Sequence, residues 1–334
     1  MLRGRIELPV FESRLLEGNP LGDPHQREVL VYLPPSYDES ENRRFPLLMV
    51  LPSYASGHRT LMSYRVWEPD LFERYERLLD AGEVPEAILV APDTMTRWGG
   101  SQFIDSAATG AYQSYVVEEV LPFVDEQYRT EPAPERRAVV GRSSGGYGAL
   151  RLGIDRPGVF SVYGSHAGDS LFEVSIRPSF TSAAITLGHA GGVSRFLERF
   201  EKRGPRGGGD FEAIMTIATA ACYAPDLDAP FPHAALPFDV SSGLPIDDVW
   251  ARWLKHDPIR LLDARPEAMK SAKFVYLDAG DRDEHGLQFA ARRLAEQLES
   301  RDVPVFHEEF EGTHRGTGYR YDRSLPLLLG ALEA

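Results

Sequence analysis

Residues 139–150 read VVGRSSGGYGAL, two adjacent serines between glycines, directly after a β-branched run. The frame Gly141-Arg142-Ser143-Ser144-Gly145 satisfies G-x-S-x-G, the pattern of a nucleophile elbow. An elbow turns from strand to helix so tightly that only small residues fit two before and two after the nucleophile. Centring the frame on Ser144 would put Arg142 at the first of those places, so Ser143 is the candidate nucleophile. The context agrees: "RAVV" before the turn reads as a strand, and "GGYGALRLGIDRP" after it is helix-capable, with Gly146 and Gly148 allowing close packing. The competing use of such a loop is a phosphate cradle, but neither G-x-x-x-x-G-K-[ST] nor G-x-G-x-x-G is present. The plain alternative is a structural Gly/Ser turn.

A serine hydroxyl needs a base to take its proton and a carboxylate to hold that base in the right tautomer. At an elbow of this kind the chain order is Ser, then Asp or Glu, then His. Of nine histidines, only His285, His307 and His314 follow a late-strand acid. His307 lies inside a strand pattern and His285 opens a helix. His314, in "FEGTHRGTG", follows the last strand in a glycine-bordered loop, where the base belongs. The acid should come from "DRDE" after "KFVYLDAG", which offers Asp281, Asp283 and Glu284. Asp283 has the reach of a loop residue clear of the strand end; Asp281 is the alternative, or a cap on the turn or following helix. The same stretch begins like a calcium loop, but its fifth and twelfth positions are His285 and Arg292, where oxygen ligands are required.

Negative charge developing on a carbonyl oxygen needs two preorganised donors. The backbone N–H of Ser144, at the positive end of the elbow helix, is one expected oxyanion-hole donor. The amide of Tyr54, in "PSYASG" after an earlier strand, is the other.

These loops need a scaffold. Seven apolar, β-branched-rich runs read as buried strands: 27–33, 46–52, 86–92, 137–141, 159–166, 273–280 and 303–310. Helical patterns lie between most of them, at 69–82, 112–128 and 287–300. Strands alternating with helices imply an α/β architecture, a mostly parallel central sheet with helices on both faces. From about 171 to 262 no clear strand occurs, only Gly- and Pro-rich pieces and the aromatic segment "DDVWARWLKHDP". That span reads as a cap-like insertion within a single domain covering 1–334. Its Phe231, Phe238, Trp250 and Trp253 are expected to wall a substrate pocket; the alternative is that they anchor the insertion or bury a dimer interface.

The chain carries a net charge of −14 over 334 residues. Such a surface repels phosphate backbones, and no basic cluster interleaved with aromatics stands out, which argues against nucleic acid. No apolar run approaches the roughly 18 residues of a membrane span, and the first residues lack a secretory h-region. One cysteine, Cys222, precludes an intrachain disulfide. A cytoplasmic location is the expectation.

Together these segments resemble the putative-esterase family of α/β-hydrolases, which includes S-formylglutathione hydrolases (esterase D), feruloyl and acetyl xylan esterases, enterochelin esterases and mycolyltransferases. "VYLPPSYDES…RFPLLMVLP" is similar to the family's first strands, and "YVVEEVLPFVDEQYRT" to the helix before the elbow. "GRSSGGYGAL", "GDRDE" and "FEGTHRGTGYRYDRSLP" are similar to its three triad segments. Two departures stand out. Ser53 replaces the glycine that usually precedes the oxyanion donor, and the cysteine that S-formylglutathione hydrolases carry near that loop is absent, which counts against that substrate. The segment 96–115 looks like the family's substrate-facing loop, so Trp98, Gln102 and Ser106 are expected to line the pocket alongside Trp250. The resemblance implies hydrolysis of small carboxylic esters through an acyl-enzyme on Ser143, Asp283 and His314, with no cofactor or metal. Acyl transfer to an alcohol or sugar by the same residues is one alternative. A non-catalytic binding or scaffold protein on this fold, forming a homo-oligomer through the insertion, is another.

Overall fold

The computed structural model describes residues 2–63 and 65–333. Eleven strands form, β1 (Arg5–Glu7), β2 (Val10–Glu12), β3 (Gln26–Leu33), β4 (Leu47–Leu51), β5 (Ile88–Pro92), β6 (Asp105–Ser106), β7 (Gly110–Ala111), β8 (Arg137–Arg142), β9 (Val162–His166), β10 (Phe274–Gly280) and β11 (Val305–Phe310). All but the small hairpin β6–β7 join one sheet in the order β1-β3-β5-β4-β8-β9-β10-β11, with β2 also on β3. Pairing is parallel from β5 across to β11 and antiparallel where β3 meets β5, β1 and β2. All seven strands read from the sequence are present. The three-residue strands β1 and β2 and the hairpin are additional, being too short for apolar alternation to register.

The strands are apolar throughout because both sheet faces are covered. In β4, Leu47, Met49 and Leu51 enter one core while Leu48 and Val50 enter the other; Val139 and Val140 of β8 divide in the same way. Helices Leu71–Asp80 and Tyr321–Glu333 cover one face through Tyr75, Leu325 and Leu328. The helical stretch 112–127 and helices Ser144–Asp155 and Leu287–Glu299 cover the other through Val116, Leu150 and Leu294.

Parallel register brings the carboxyl ends of the strands together: Leu51 lies beside Gly141, Arg142 beside His166, and His166 beside Asp278. β4 has β5 on one side and β8 on the other, so the chain's direction of travel across the sheet reverses there. That switch point opens a crevice outside the strand ends.

Between β9 and β10 the chain is helical, with Phe180–Ala190, Val193–Arg203, Asp210–Tyr223 and Asp247–Leu254 as its longer pieces. These helices build a separate core from Phe180, Ile217, Phe238 and Trp253, closed onto the main body by Trp98, Ile104 and Tyr147. The last helix, Pro258–Ala264, already packs Ile259 and Leu262 into the sheet core. That helix, at the end of the span 171–262, thus belongs to the sheet core by its packing. Among the described residues no helix is long and apolar enough to cross a membrane.

Candidate active site

At the end of β8 the backbone of Ser143 takes φ 54°, ψ −123°. A non-glycine residue holds such a conformation only when its surroundings impose it, at about 1–3 kcal/mol. The surroundings here are hydrogen bonds on both sides: Ser143 N–H donates to the His166 carbonyl at 2.8 Å, and Tyr147 N–H donates to the Ser143 carbonyl at 2.9 Å. The turn also excludes side chains. A Cβ on Gly141 would fall 2.3 Å from the Gly145 carbonyl carbon, and one on Gly145 would fall 2.2 Å from the Leu51 carbonyl oxygen. Ser143 faces the crevice, while Ser144 is buried as the first residue of the elbow helix.

His314 reaches over from the loop after β11, with Nε2 3.0 Å from Ser143 Oγ. Its Nδ1 lies 2.8 Å from the Asp283 carboxylate. Asp283 also accepts the His285 N–H at 2.9 Å, and Glu284 accepts the His314 N–H at 2.9 Å, so both ends of the contact are tethered. Burial pushes the Asp283 carboxyl up, but the His314 contact and the His285 N–H outweigh it and hold the group below the usual carboxylate range. Asp281 turns away and accepts the Gly312 N–H at 2.9 Å, which closes the loop after β11. His285 stands just ahead of helix Leu287–Glu299, half-buried. It lines the crevice edge-on to His314, ring centroids 4.8 Å apart, because the Asp283 turn folds it back. His307 stays in β11, away from the crevice lining.

Ser144 N–H belongs to the unsatisfied first turn of its helix. Tyr54, after β4, lines the same crevice, and its hydroxyl donates to the Trp98 carbonyl at 2.5 Å. Ser53 ties this loop to the elbow by donating to the Arg142 carbonyl at 3.0 Å. The left-handed residue of the loop is Ala55, at φ 56°, so Ser53 stands where glycine's freedom is not required.

A second serine–histidine–aspartate row lies directly behind. His166 contacts Asp278 through Nδ1 at 2.8 Å and Ser324 through Nε2 at 2.9 Å. Arg320 and the Tyr276 hydroxyl complete the ring of partners around Asp278, at 2.8 Å each. Burial pushes the Asp278 carboxyl up, and His166, Arg320 and Tyr276 more than reverse it. Ser324 is fully buried inside a helix, so no substrate reaches it. The row instead braces His166, whose carbonyl holds Ser143.

The crevice has a volume of about 610 Å³. Gln102 lines it, with its side-chain carbonyl buried and without a partner among the described residues. Trp98, Ser106 and Trp250 do not. Trp98 packs into the insertion core against Phe231 at 5.1 Å; Ser106 donates to the Ala221 carbonyl at 2.6 Å; Trp250 stands edge-on to Phe180 at 5.2 Å. Trp98 and Ser106 hold the insertion to the body, while Trp250, on the insertion's own helix Asp247–Leu254, packs inside its core. Of the insertion's expected aromatics only Trp253 meets the crevice, joined by Phe211, Met215 and Tyr223. Phe238 is buried in the insertion core. Asp169 also lines the crevice without having been singled out. Its one signal in the sequence is an acid just past the strand that follows the elbow helix, in "SHAGDS".

The sheet order, the elbow and the helices on both faces define an α/β-hydrolase fold. Solved structures share it at low identity. A ferulic acid esterase superposes with a TM-score of 0.65 at 16% identity, covering 99% of this chain and 100% of its own. An S-formylglutathione hydrolase from Agrobacterium tumefaciens does so at 0.59 and 14%, covering 99% and 97%. The sequence profile described as "Putative esterase" matches residues 24–325, and the chain belongs to that family of esterases. Curated relatives match about half of it. An esterase of Mycobacterium tuberculosis is 26% identical over 170 residues, 48% of this chain and 34% of its own length. An uncharacterised Bacillus subtilis protein is 23% identical over 181 residues, 48% and 68%. The chain thus spans about a third of the mycobacterial relative.

Proposed function

We propose that this protein is a serine hydrolase that cleaves small carboxylic esters through an acyl-enzyme on Ser143. The observation that carries the reading is the hydrogen-bonded row Asp283–His314–Ser143, with its serine on a strained turn at the crevice floor. His314 Nε2 takes the Ser143 proton as Oγ attacks the carbonyl carbon. Asp283, held ionised, keeps the Nδ1 proton in place and stabilises the imidazolium. The amides of Ser144 and Tyr54 donate to the oxyanion, each such donor being worth about 3–4 kcal/mol in the transition state. The alcohol departs with the proton from His314, and water, activated by the same nitrogen, releases the acid. No step calls for a cofactor. The test is p-nitrophenyl ester hydrolysis together with fluorophosphonate labelling. Wild type should show both, and Ser143→Ala neither. An active Ser143→Ala enzyme, free of contaminating esterase, would overturn the assignment. Running the reaction with added alcohols reads whether water is the principal acyl acceptor.

A further inference from the structure

Asp169 follows β9 by three residues, on a loop that is held rigidly. Ala167, at φ 46°, donates its N–H to the Asp278 carbonyl at 2.7 Å. Ser170 Oγ donates to the Gly168 carbonyl at 3.1 Å, and the Asp257 carboxylate accepts the N–H groups of Leu171 and Phe172 at 3.0 and 2.9 Å. The half-buried side chain lines the crevice that holds Ser143 and His314. Tyr223 of the insertion helix and His314 line the same crevice.

Among the described residues Asp169 accepts no hydrogen bond. That separates it from the other shielded carboxylates here. Asp257 accepts three backbone N–H groups, and Asp278 is surrounded by His166, Arg320 and Tyr276. Asp169 alone among these points its acceptors at the space a substrate would occupy. Burial pushes it up to about 6, with His314 pulling the other way and Asp283 adding to the rise. Near neutral pH it is therefore an anion short of partners. The wall of this crevice carries hydroxyls (Ser175, Ser179, Thr216, Thr219) as well as apolar Ile176 and Met215. A purely alkyl group pressed against the carboxylate would strip its water and return no hydrogen bond.

We propose that Asp169 is a specificity-determining residue that accepts a hydrogen bond from a hydroxyl or amino substituent close to the scissile carbonyl, so that the enzyme favours esters bearing such a donor. The inference rests on the serine-esterase reading above. A hydrogen bond to a charged group is worth about 1.5–3 kcal/mol net, which corresponds to roughly 10- to 150-fold in kcat/KM.

The experiment compares p-nitrophenyl butyrate with p-nitrophenyl 2- and 3-hydroxybutyrate at pH 8, each rate normalised to hydroxide-catalysed hydrolysis of the same ester. Wild type should favour at least one hydroxy ester by ten-fold or more. Asp169→Leu should bring that ratio to within about three-fold of one. Asp169→Asn, which preserves shape and one acceptor oxygen, should give an intermediate ratio, and it carries the test where the leucine variant fails to fold. A wild-type ratio near one overturns the proposal, as does an Asp169→Asn ratio equal to wild type. It is overturned equally if Asp169→Leu slows all esters alike, which would make the carboxylate an electrostatic support for His314. Fluorophosphonate labelling of wild-type Ser143 is run beside it. Its absence would fail the underlying esterase reading and the proposal with it, whereas labelling with a flat ratio would fail the proposal alone.

Discussion

Each member of the candidate row is separated from a chemically similar neighbour by position alone, and substitution reads that separation. Ser144→Ala should keep most activity, since only its backbone amide is placed to act. His314→Ala should lose on the order of a thousand-fold or more in kcat. Asp283→Asn should cost far more than Asp281→Asn, because the first touches His314 and the second only closes a loop; steady-state kinetics with circular dichroism as a fold control checks the ranking. Behind the row, Asp278 makes a different prediction. Its native pKa lies below its unfolded value, so the stability it contributes is present above about pH 4 and lost as pH falls through the native value. Asp278→Asn should lower stability at pH 7 by about 3–5 kcal/mol, the usual result of breaking a buried pair. Denaturation at pH 7, 5 and 3 should show the gap to wild type narrowing toward the acid end.

The elbow and the insertion behave as units. Gly145→Ala would set a Cβ against two backbone carbonyls, 2.2 Å from Leu51 O and 2.8 Å from Pro52 O. Neither can swing aside as a flexible side chain would. The variant should lose more than the about 1–3 kcal/mol typical of overpacking, read as a large drop in Tm or in soluble yield. In the insertion, position in the packing sorts the aromatics. Phe238→Ala and Trp250→Ala remove interior rings and should lower stability by about 3–5 kcal/mol while reducing turnover of all esters in parallel. Phe211→Ala and Met215→Ala change the crevice wall and should reorder acyl-chain preference with little change in Tm. A chain-length series of p-nitrophenyl esters, run with thermal melts, distinguishes the two outcomes.

On the scale of the whole molecule, the insertion is tied into the sheet rather than appended to it. Trp98, Ile104 and Tyr147 from the main body sit inside its core. The link continues at the far end, where the Tyr147 hydroxyl on the elbow helix donates to the His256 carbonyl at 3.2 Å and helix Pro258–Ala264 returns to the sheet core. Body and insertion should therefore unfold together, giving one calorimetric transition. Trp98→Ala should weaken that single transition without splitting it; two separate transitions would show that the shared residues do not couple the layers.

Local order along the chain was sufficient for much of this. Continuous β-branched runs announce strands buried on both faces, and G-x-S-x-G between a strand and a helix names Ser143 over Ser144 through the bulk of Arg142. The succession of an acid-bearing loop and then a histidine-bearing loop narrows the remaining members to Asp283 or Asp281 and His314. These features follow from backbone sterics and from chain order, and both are written one residue at a time. What lay beyond reach depends on which surfaces meet. Trp98, Ser106 and Trp250 look like pocket residues in any linear reading, yet they are packed into the insertion core; Phe211, Met215 and Thr216 sit in an unremarked helical stretch and face the crevice. His166 precedes every late acid in sequence, but parallel register sets it beside Asp278 and behind the nucleophile. Asp169 is one acid among fifty acidic residues until the fold leaves it on the crevice wall with no hydrogen-bond partner among the described residues. A side chain's burial and its partners are set by contacts between residues a hundred positions apart, and only the closed tertiary structure decides them.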